Sequence, residues 1–182
     1  NEELPGAMDL PEQWYLYCRD AFNGVMLWQR PLENWGWQSW ADSPVTTYHN
    51  IGGRFNQPNY LARTLVASQD RLFVTLGFDA PVTALDAASG EVVRVYEGTR
   101  GADEILHKNG KLIVAVHTRG LEERKRTARE SLRSGNGASY GKKRLVALEA
   151  ETGEVLWRSK EYVGINANRK LLAVHRHLNP VV

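Results

Sequence analysis

The stretch Ala147-Leu-Glu-Ala-Glu-Thr-Gly-Glu-Val-Leu-Trp157 decides the fold of this 182-residue chain, because its pattern occurs twice more. The other copies are Cys18-Arg-Asp-Ala-Phe-Asn-Gly-Val-Met-Leu-Trp28 and Ala84-Leu-Asp-Ala-Ala-Ser-Gly-Glu-Val-Val-Arg94. Aligned on Gly24, Gly90 and Gly153, each copy has an acid four residues earlier and an alanine three residues earlier. Self-similarity of this kind predicts an array of similar structural units.

Each copy reads as two β-strands joined by a tight turn. In the second copy, residues 82–86 lead into the turn, and Glu91-Val-Val-Arg-Val-Tyr96 leaves it rich in β-branched residues. Asp86 can accept hydrogen bonds from the turn backbone, and Gly90 supplies the positive φ that a short hairpin loop requires. The other copies carry the same structural residues, with a tryptophan expected to pack on a neighbouring unit: Asp20, Gly24 and Trp28, and Glu149, Gly153 and Trp157.

A second pair of strands precedes the repeated phrase. The segment 65–74 aligns with the segment 105–114, which contains the hairpin signal Asn109-Gly110. The unit is therefore four antiparallel strands in about 40 residues, which is typical of a β-propeller blade.

The residues 85–91 and 148–157 resemble the repeat of the pyrroloquinoline-quinone (PQQ) type. That repeat occurs in quinoprotein alcohol dehydrogenases and in non-catalytic propellers, including an outer-membrane assembly lipoprotein. The resemblance implies an all-β fold, a partial β-propeller of four-stranded antiparallel blades, in a bacterial protein of the periplasm or cell envelope. Such motifs are structural in every blade, so the resemblance implies a scaffold more directly than a reaction.

About two and a half blades are expected in one partial propeller. The divisions are 14–33 (outer strands of the first blade), 34–60 (a Trp-rich inserted loop), 61–98 (second blade), 99–163 (third blade, with a basic insertion at 119–142 and a short helix in it) and 164–182 (the start of a further blade). Because propellers close with about four to eight blades, we expect this chain to be a fragment of a longer protein.

The two insertions are expected to emerge on one face of the propeller, because connections of these types lie at the same strand ends. We call this the elaborated face. The short turns at 23–24, 70–71, 89–90, 109–110 and 152–153 fall on the opposite side, the trimmed face. Long loops on a rigid scaffold commonly carry function, so the elaborated face is the predicted binding surface.

The first insertion supplies the candidate ligand-binding residues Trp35, Trp37, Trp40, His49 and Arg54. The tryptophans either form a stacking platform for a sugar, a quinone or a peptide, or fold back over the blade edge, and packing is the commoner role of such side chains. His49 has no partner at metal-ligand spacing, so neither a metal site nor a catalytic residue is predicted.

The second insertion reads as a basic amphipathic helix. Residues 119–144 hold nine basic and three acidic residues, an excess of six positive charges. Such a segment binds phosphate, anionic lipid or an acidic partner, or is simply a solvated loop.

Asp103 and Glu104 are candidate oxygen ligands on the elaborated face. In the quinoprotein dehydrogenases that the repeat resembles, Ca²⁺ holds the PQQ cofactor, so PQQ with Ca²⁺ is the alternative to a protein without a cofactor. Sequence alone identifies no third ligand, and a capped turn is the simpler interpretation. The adjacent cysteine pair of those enzymes has no counterpart, because Cys18 is the only cysteine.

Three functions are compatible with these patterns. The first is a non-catalytic scaffold that binds a protein or glycan partner through its elaborated face. The second is part of a PQQ- and Ca²⁺-dependent dehydrogenase, and the third is a carbohydrate-associated module built on the tryptophans. The net charge of +2 does not point to nucleic acid, and no apolar run is long enough for a transmembrane segment.

Overall fold

The computed structural model describes residues 2–3, 13–35, 39, 63–124, 126, 130 and 142–163. The described residues form three groups of strands. The first contains β1 (Glu2–Glu3), β2 (Trp14–Arg19) and β3 (Met26–Leu32). The second contains β4 (Leu65–Ser68), β5 (Arg71–Thr75), β6 (Val82–Asp86) and β7 (Val92–Val95). The third contains β8 (Ala102–Lys108), β9 (Lys111–His117), β10 (Lys142–Glu149), β11 (Val155–Arg158) and β12 (Tyr162–Val163).

Every pair of neighbouring strands is antiparallel, and all pairs except β10–β12 join strands that are consecutive in the chain. The second group is a sheet of order β4-β5-β6-β7, and the third runs β8-β9-β10-β11, with β12 also pairing with β10. The first group is a sheet of order β1-β2-β3. Four-stranded meanders of this kind are the blades of a propeller, so the predicted all-β fold class is confirmed. The predicted short helix is represented by helical residues 121–124, in the connection between β9 and β10.

The repeated turn is held by its acid and its glycine. Asp86 Oδ1 accepts hydrogen bonds from the backbone N–H groups of Ala88 (3.0 Å) and Ser89 (2.9 Å) and from the Ser89 hydroxyl. These bonds, led by that from the Ser89 backbone, hold the pKa of Asp86 below its usual value. Gly90 adopts φ +73° and donates its N–H to the Asp86 carbonyl.

The other two turns have the same backbone form, with one difference in side chains. Asp20 Oδ1 accepts from the N–H groups of Phe22 and Asn23 at 2.9 and 3.0 Å. In the third turn, Glu149 contributes its carbonyl, which accepts the Gly153 N–H at 2.8 Å. A Thr152 hydroxyl that accepts the Glu154 N–H completes this turn. In the third turn, the hydrogen bonds that stabilise the turn therefore involve the backbone and the Thr152 hydroxyl, where the other two turns use an aspartate carboxylate.

The second and third blades share a core. Phe73, Val82, Ala84 and Tyr96 of the second blade pack with Ile105, Leu112, Val114, Val146 and Leu148 of the third, and all of these side chains are at least 98% buried. A smaller cluster of Leu16, Val74 and Leu85 joins the first blade to the second. Continuous packing across both junctions fixes where the strand ends lie on each face.

Trp28 makes the contact between the first and second blades. Its ring lies flat against Gly90, so that a Cβ at Gly90 would stand 2.7 Å from Trp28 Cδ2. Its Nε1 donates to the Ala87 carbonyl at 3.0 Å, and the Cys18 thiol lies 3.7 Å from the same oxygen. Arg30 Nη1 donates to the Gly90 carbonyl at 2.9 Å. Side chains of the first repeat copy thus contact and hydrogen-bond the turn of the second copy.

Candidate functional site

The predicted site residues divide into three sets. Trp37, Trp40, His49 and Arg54 lie outside the described residues, as do residues 164–182. Trp35 is described and is half-buried, where it packs on a cluster formed by Trp14 and Phe78 with Leu32 and Leu121. Asp103 and Glu104 lie at the start of β8, at the elaborated face.

A β-bulge positions the two carboxylates. The register of β8 on β9 shifts between Ala102 and Glu104, so that Asp103 is the extra residue. Bulges re-aim side chains at the ends of strands. Here both acids are buried, with Asp103 only 2% exposed. They therefore belong to a strand, where the sequence had favoured a capped turn.

Two cations neutralise these acids. Lys143 Nζ, on β10 and therefore two strands from β8 in the sheet, donates to Asp103 Oδ2. Arg63 lies 3.6 Å from Asp103 Oδ1 and 3.8 Å from Glu104 Oε2. Burying charges is tolerated when they are paired, and these contacts join the start of the second blade to the third. We call Arg63, Asp103, Glu104 and Lys143 the acid–base cluster.

A second buried ion pair lies beside this cluster. Arg124, at the end of helical residues 121–124, pairs with Asp79 of the β5–β6 loop. Gly101 makes room for the pair, because a Cβ there would stand 3.1 Å from Asp79 Oδ1 and 3.5 Å from Arg124 Nη2. Arg100 adds a longer contact to Asp79 at 3.9 Å. The ion pair ties the beginning of the basic insertion to the second blade.

Burial changes the titration of two groups in this region. It raises the pKa of Glu104, although Arg63 opposes the shift. Burial lowers the pKa of His117 from 6.5 to about 3, and the positive charges of Arg124 and Lys143 act in the same direction. His117 is therefore a neutral imidazole at pH 7, in register with Lys143 on the adjacent strand.

The acid–base cluster does not suit Ca²⁺. A calcium ion takes six to eight oxygen ligands, whereas Asp103 and Glu104 face the side chains of Lys143 and Arg63. Among the residues that the structure describes, no group of three or more His, Cys, Asp or Glu side chains is arranged to hold a metal. Asp103 and Glu104, the two candidate oxygen ligands of the sequence analysis, are thus paired with cations in the structure.

A cleft of about 620 Å³ opens next to the Asp79–Arg124 pair. Phe78 and Leu121 form its apolar part, and Arg100, Glu122 and Glu123 are charged groups at its edge. It combines elements from four places in the chain: the segment after β3, the β5–β6 loop, the β7–β8 connection and the second insertion. Its size is within the range of ligand-binding pockets, about 300–1,000 Å³.

Sequence reasoning did not find Arg63, Lys143, Arg124 or His117. One signal was available for Lys143. It lies two residues before Leu145 and four before Ala147, so it shares with these buried residues the inward-facing side of β10. A lysine at such a position requires a buried counter-charge. The identity of that counter-charge depends on strand register, which the sequence did not give.

No protein-family model and no curated protein matches the chain. Among solved structures it is similar to a quinohemoprotein alcohol dehydrogenase from Pseudomonas putida HK5, with 17% identity, a TM-score of 0.46, and coverage of 79% of this chain and 17% of that one. It is also similar to a europium-containing methanol dehydrogenase, with 16% identity, a TM-score of 0.43, and coverage of 81% and 22%. The chain thus spans about a fifth of the length of each of these proteins. In the described part of the chain, no helix has the length and hydropathy needed to cross a membrane.

Proposed function

We propose that this chain is a non-catalytic PQQ-like β-propeller scaffold of the cell envelope that binds a protein partner through its elaborated face. The observation that carries the proposal is the cleft beside Asp79 and Arg124. Its walls come from separate parts of the chain, and a buried ion pair connects two of them. A preorganised surface of this kind lowers the cost of ordering loops when a partner binds.

The chemistry of the acid–base cluster supports a structural role for its carboxylates. A general base must reach a substrate proton, and a metal ligand must offer its oxygens to the ion. Asp103 is 2% exposed and faces Lys143 and Arg63. These groups are therefore better suited to holding the blades together than to reacting with a substrate.

A protein partner is favoured over a glycan by the position of Trp35. A sugar-binding tryptophan presents the flat face of its ring to solvent. Trp35 is half-buried, packs against the cluster of Trp14 and Phe78, and so belongs to the packing behind Phe78 of the cleft. A cleft with an apolar part and charged edges matches a partner that inserts an apolar side chain and pairs its charges at the rim.

The test uses a photo-crosslinking amino acid at two exposed positions. In place of Glu122 it stands at the cleft, and in place of Glu91 it stands on the trimmed face as the matched control. We expect a defined protein adduct from position 122 that is lost when Arg100→Glu is added, and no such adduct from position 91. Equal labelling from both positions, or an adduct indifferent to Arg100→Glu, would contradict the proposal.

Titration with PQQ and Ca²⁺ separates the proposal from the dehydrogenase alternative. We expect no saturable change in absorbance or heat at micromolar PQQ. Saturable binding would instead favour a quinoprotein oxidoreductase. A sugar-dependent change in tryptophan fluorescence would favour the carbohydrate-associated module.

A further inference from the structure

The junction between the first and second blades shows how one repeat copy binds the turn of the next. The ring of Trp28 lies against Gly90, and its Nε1 donates to the Ala87 carbonyl at 3.0 Å. At the junction between the second and third blades, Arg94 lies against Gly153 in the same way. Each junction therefore joins a side chain of one outer strand to the glycine turn of the following copy.

The turn of the first copy has no such cover among the described residues. Gly24 has the same φ of +73° as Gly90, but a Cβ there would meet nothing within 4 Å. Ala21, whose carbonyl corresponds to that of Ala87, is exposed, and the neighbouring Phe22 is fully exposed. The first copy thus presents a turn of the kind that Trp28 covers in the second copy, with the space for a ring left open.

The third copy carries an exposed tryptophan at the position of Trp28. Trp157 pairs with Ala147 as Trp28 pairs with Cys18, and both hairpins have a register shift immediately after this pair. Equal register directs the two rings to the same side of their blades. Trp157 is 36% exposed, and its Nε1 has no hydrogen-bond partner among the described residues. The third copy therefore holds a ring that is placed for a turn which the described residues do not supply.

We propose that two copies of this chain bind each other through these features, with Trp157 of one copy on the Gly24 turn of the other. The contact repeats one that the chain makes internally, so the ring would lie against the glycine and Nε1 would donate to the Ala21 carbonyl. Apolar side chains adjoin both partners, because Phe22 is fully exposed and Leu156 is 41% exposed. Burial of such side chains favours association. Since ring and turn lie in different copies of the repeat, the contact is heterologous and chains add head to tail.

The contact between chains is expected to be weaker than the internal junction. At that junction Arg30 adds a hydrogen bond to the Gly90 carbonyl at 2.9 Å, whereas the corresponding residue of the third copy is Ser159. Association also costs translational and rotational freedom, which an internal contact does not. We therefore expect assembly at micromolar to millimolar chain concentration. The contact involves the turns of the trimmed face, away from the cleft of the proposed function, so either proposal can fail alone.

Sedimentation velocity on the intact chain over a concentration series measures the association. Trp157→Ala removes the ring and should weaken association at least about tenfold, as large aromatic side chains at the centre of a contact do. Gly24→Ala should have the same effect, because a Cβ there takes the place of the ring, as it would at Gly90. The matched control is Val93→Ala, which removes a 46% exposed apolar side chain from the second copy and should leave association unchanged.

Mixing the two variants tests whether the contact is heterologous. Gly24→Ala keeps the ring and Trp157→Ala keeps the open turn, so the mixture should form a one-to-one complex that grows no further, although neither variant associates alone. Circular dichroism melting curves establish that both variants are folded. The proposal is overturned if the unaltered chain stays monomeric at millimolar concentration, or if the mixture associates no more than its components. Association that neither variant weakens would assign the contact to another surface and refute the proposal.

Discussion

Replacing Gly90 by alanine tests whether Trp28 holds the first two blades together. Gly90 adopts φ +73°, and a Cβ there would stand 2.7 to 3.0 Å from three atoms of the Trp28 ring. Carbon atoms pack at about 3.5–4.0 Å, so the ring must move. The ring is rigid and its Nε1 is bonded to Ala87, so movement gives up that hydrogen bond as well.

The expected cost has two parts. An alanine in the left-handed region costs about 1–2 kcal/mol. Forcing extra volume into a packed contact adds about 1–3 kcal/mol. Gly90→Ala should therefore lower the free energy of unfolding by about 2–5 kcal/mol.

The chain contains a matched control for the backbone part. Gly24 occupies the same place in the first copy and has the same φ of +73°, but a Cβ there would meet nothing within 4 Å. Gly24→Ala should therefore cost only about 1–2 kcal/mol. Gly153→Ala should fall between the two, because the Cβ would meet the flexible stem of Arg94 at 3.3 Å.

Urea denaturation followed by circular dichroism measures all three variants, compared at a common m-value. Combining Gly90→Ala with Trp28→Ala should recover about 1–3 kcal/mol relative to additivity, because the clash is removed with the ring. The reasoning is refuted if Gly90→Ala and Gly24→Ala agree within about 0.5 kcal/mol, the spread expected for independent sites.

Two further predictions concern the buried charges. Asp103→Asn should lower the free energy of unfolding, measured in urea at pH 7, by about 3–5 kcal/mol, because it leaves the buried Lys143 without its counter-charge. Asp103→Leu combined with Lys143→Met removes both charges and should leave the free energy of unfolding nearly unchanged. Equal losses in the two variants would contradict this reasoning. Because the folded pKa of His117 is depressed from 6.5 to about 3, its contribution is present above pH 6.5 and is lost as the pH falls towards 3. Between pH 7 and pH 4, His117→Gln should therefore lose about 3 kcal/mol less stability than the wild type in urea titrations, and parallel pH profiles would count against a neutral, half-buried imidazole in the folded protein.

The blades could be predicted because their signals are local. Strand alternation, the Asp86–Gly90 turn and the Asn109-Gly110 hairpin each depend on residues within a few positions of one another. The repeat strengthened the prediction, because all three copies have the same acid, alanine and glycine at the turn. Trp28 was expected to pack on a neighbouring unit, and in the structure it lies on the turn of the second blade. Trp157 is 36% exposed within the described residues, and its role stays a prediction.

The acid–base cluster could not be predicted because it depends on register and on a bulge. Asp103 and Lys143 are 40 residues apart and come together only when β8, β9 and β10 pair as they do. A shift of one residue would have turned Lys143 to the opposite face of the sheet. Residue types alone suggested oxygen ligands for a metal, whereas the facing cations make these acids partners in ion pairs.

The two faces of the chain differ in how strongly the repeat determines them. On the trimmed face every copy has the same backbone turn, and the second junction differs from the first only in the side chains that cover it, Arg94 and Tyr96 in place of a tryptophan. On the elaborated face the connections between strands are not part of the repeated pattern. There a buried ion pair, Asp79–Arg124, joins the start of the second insertion to the second blade. At the second junction Tyr96, two residues after Arg94, donates to the Ala150 carbonyl, so this junction keeps the kind of hydrogen bond that Trp28 makes at the first.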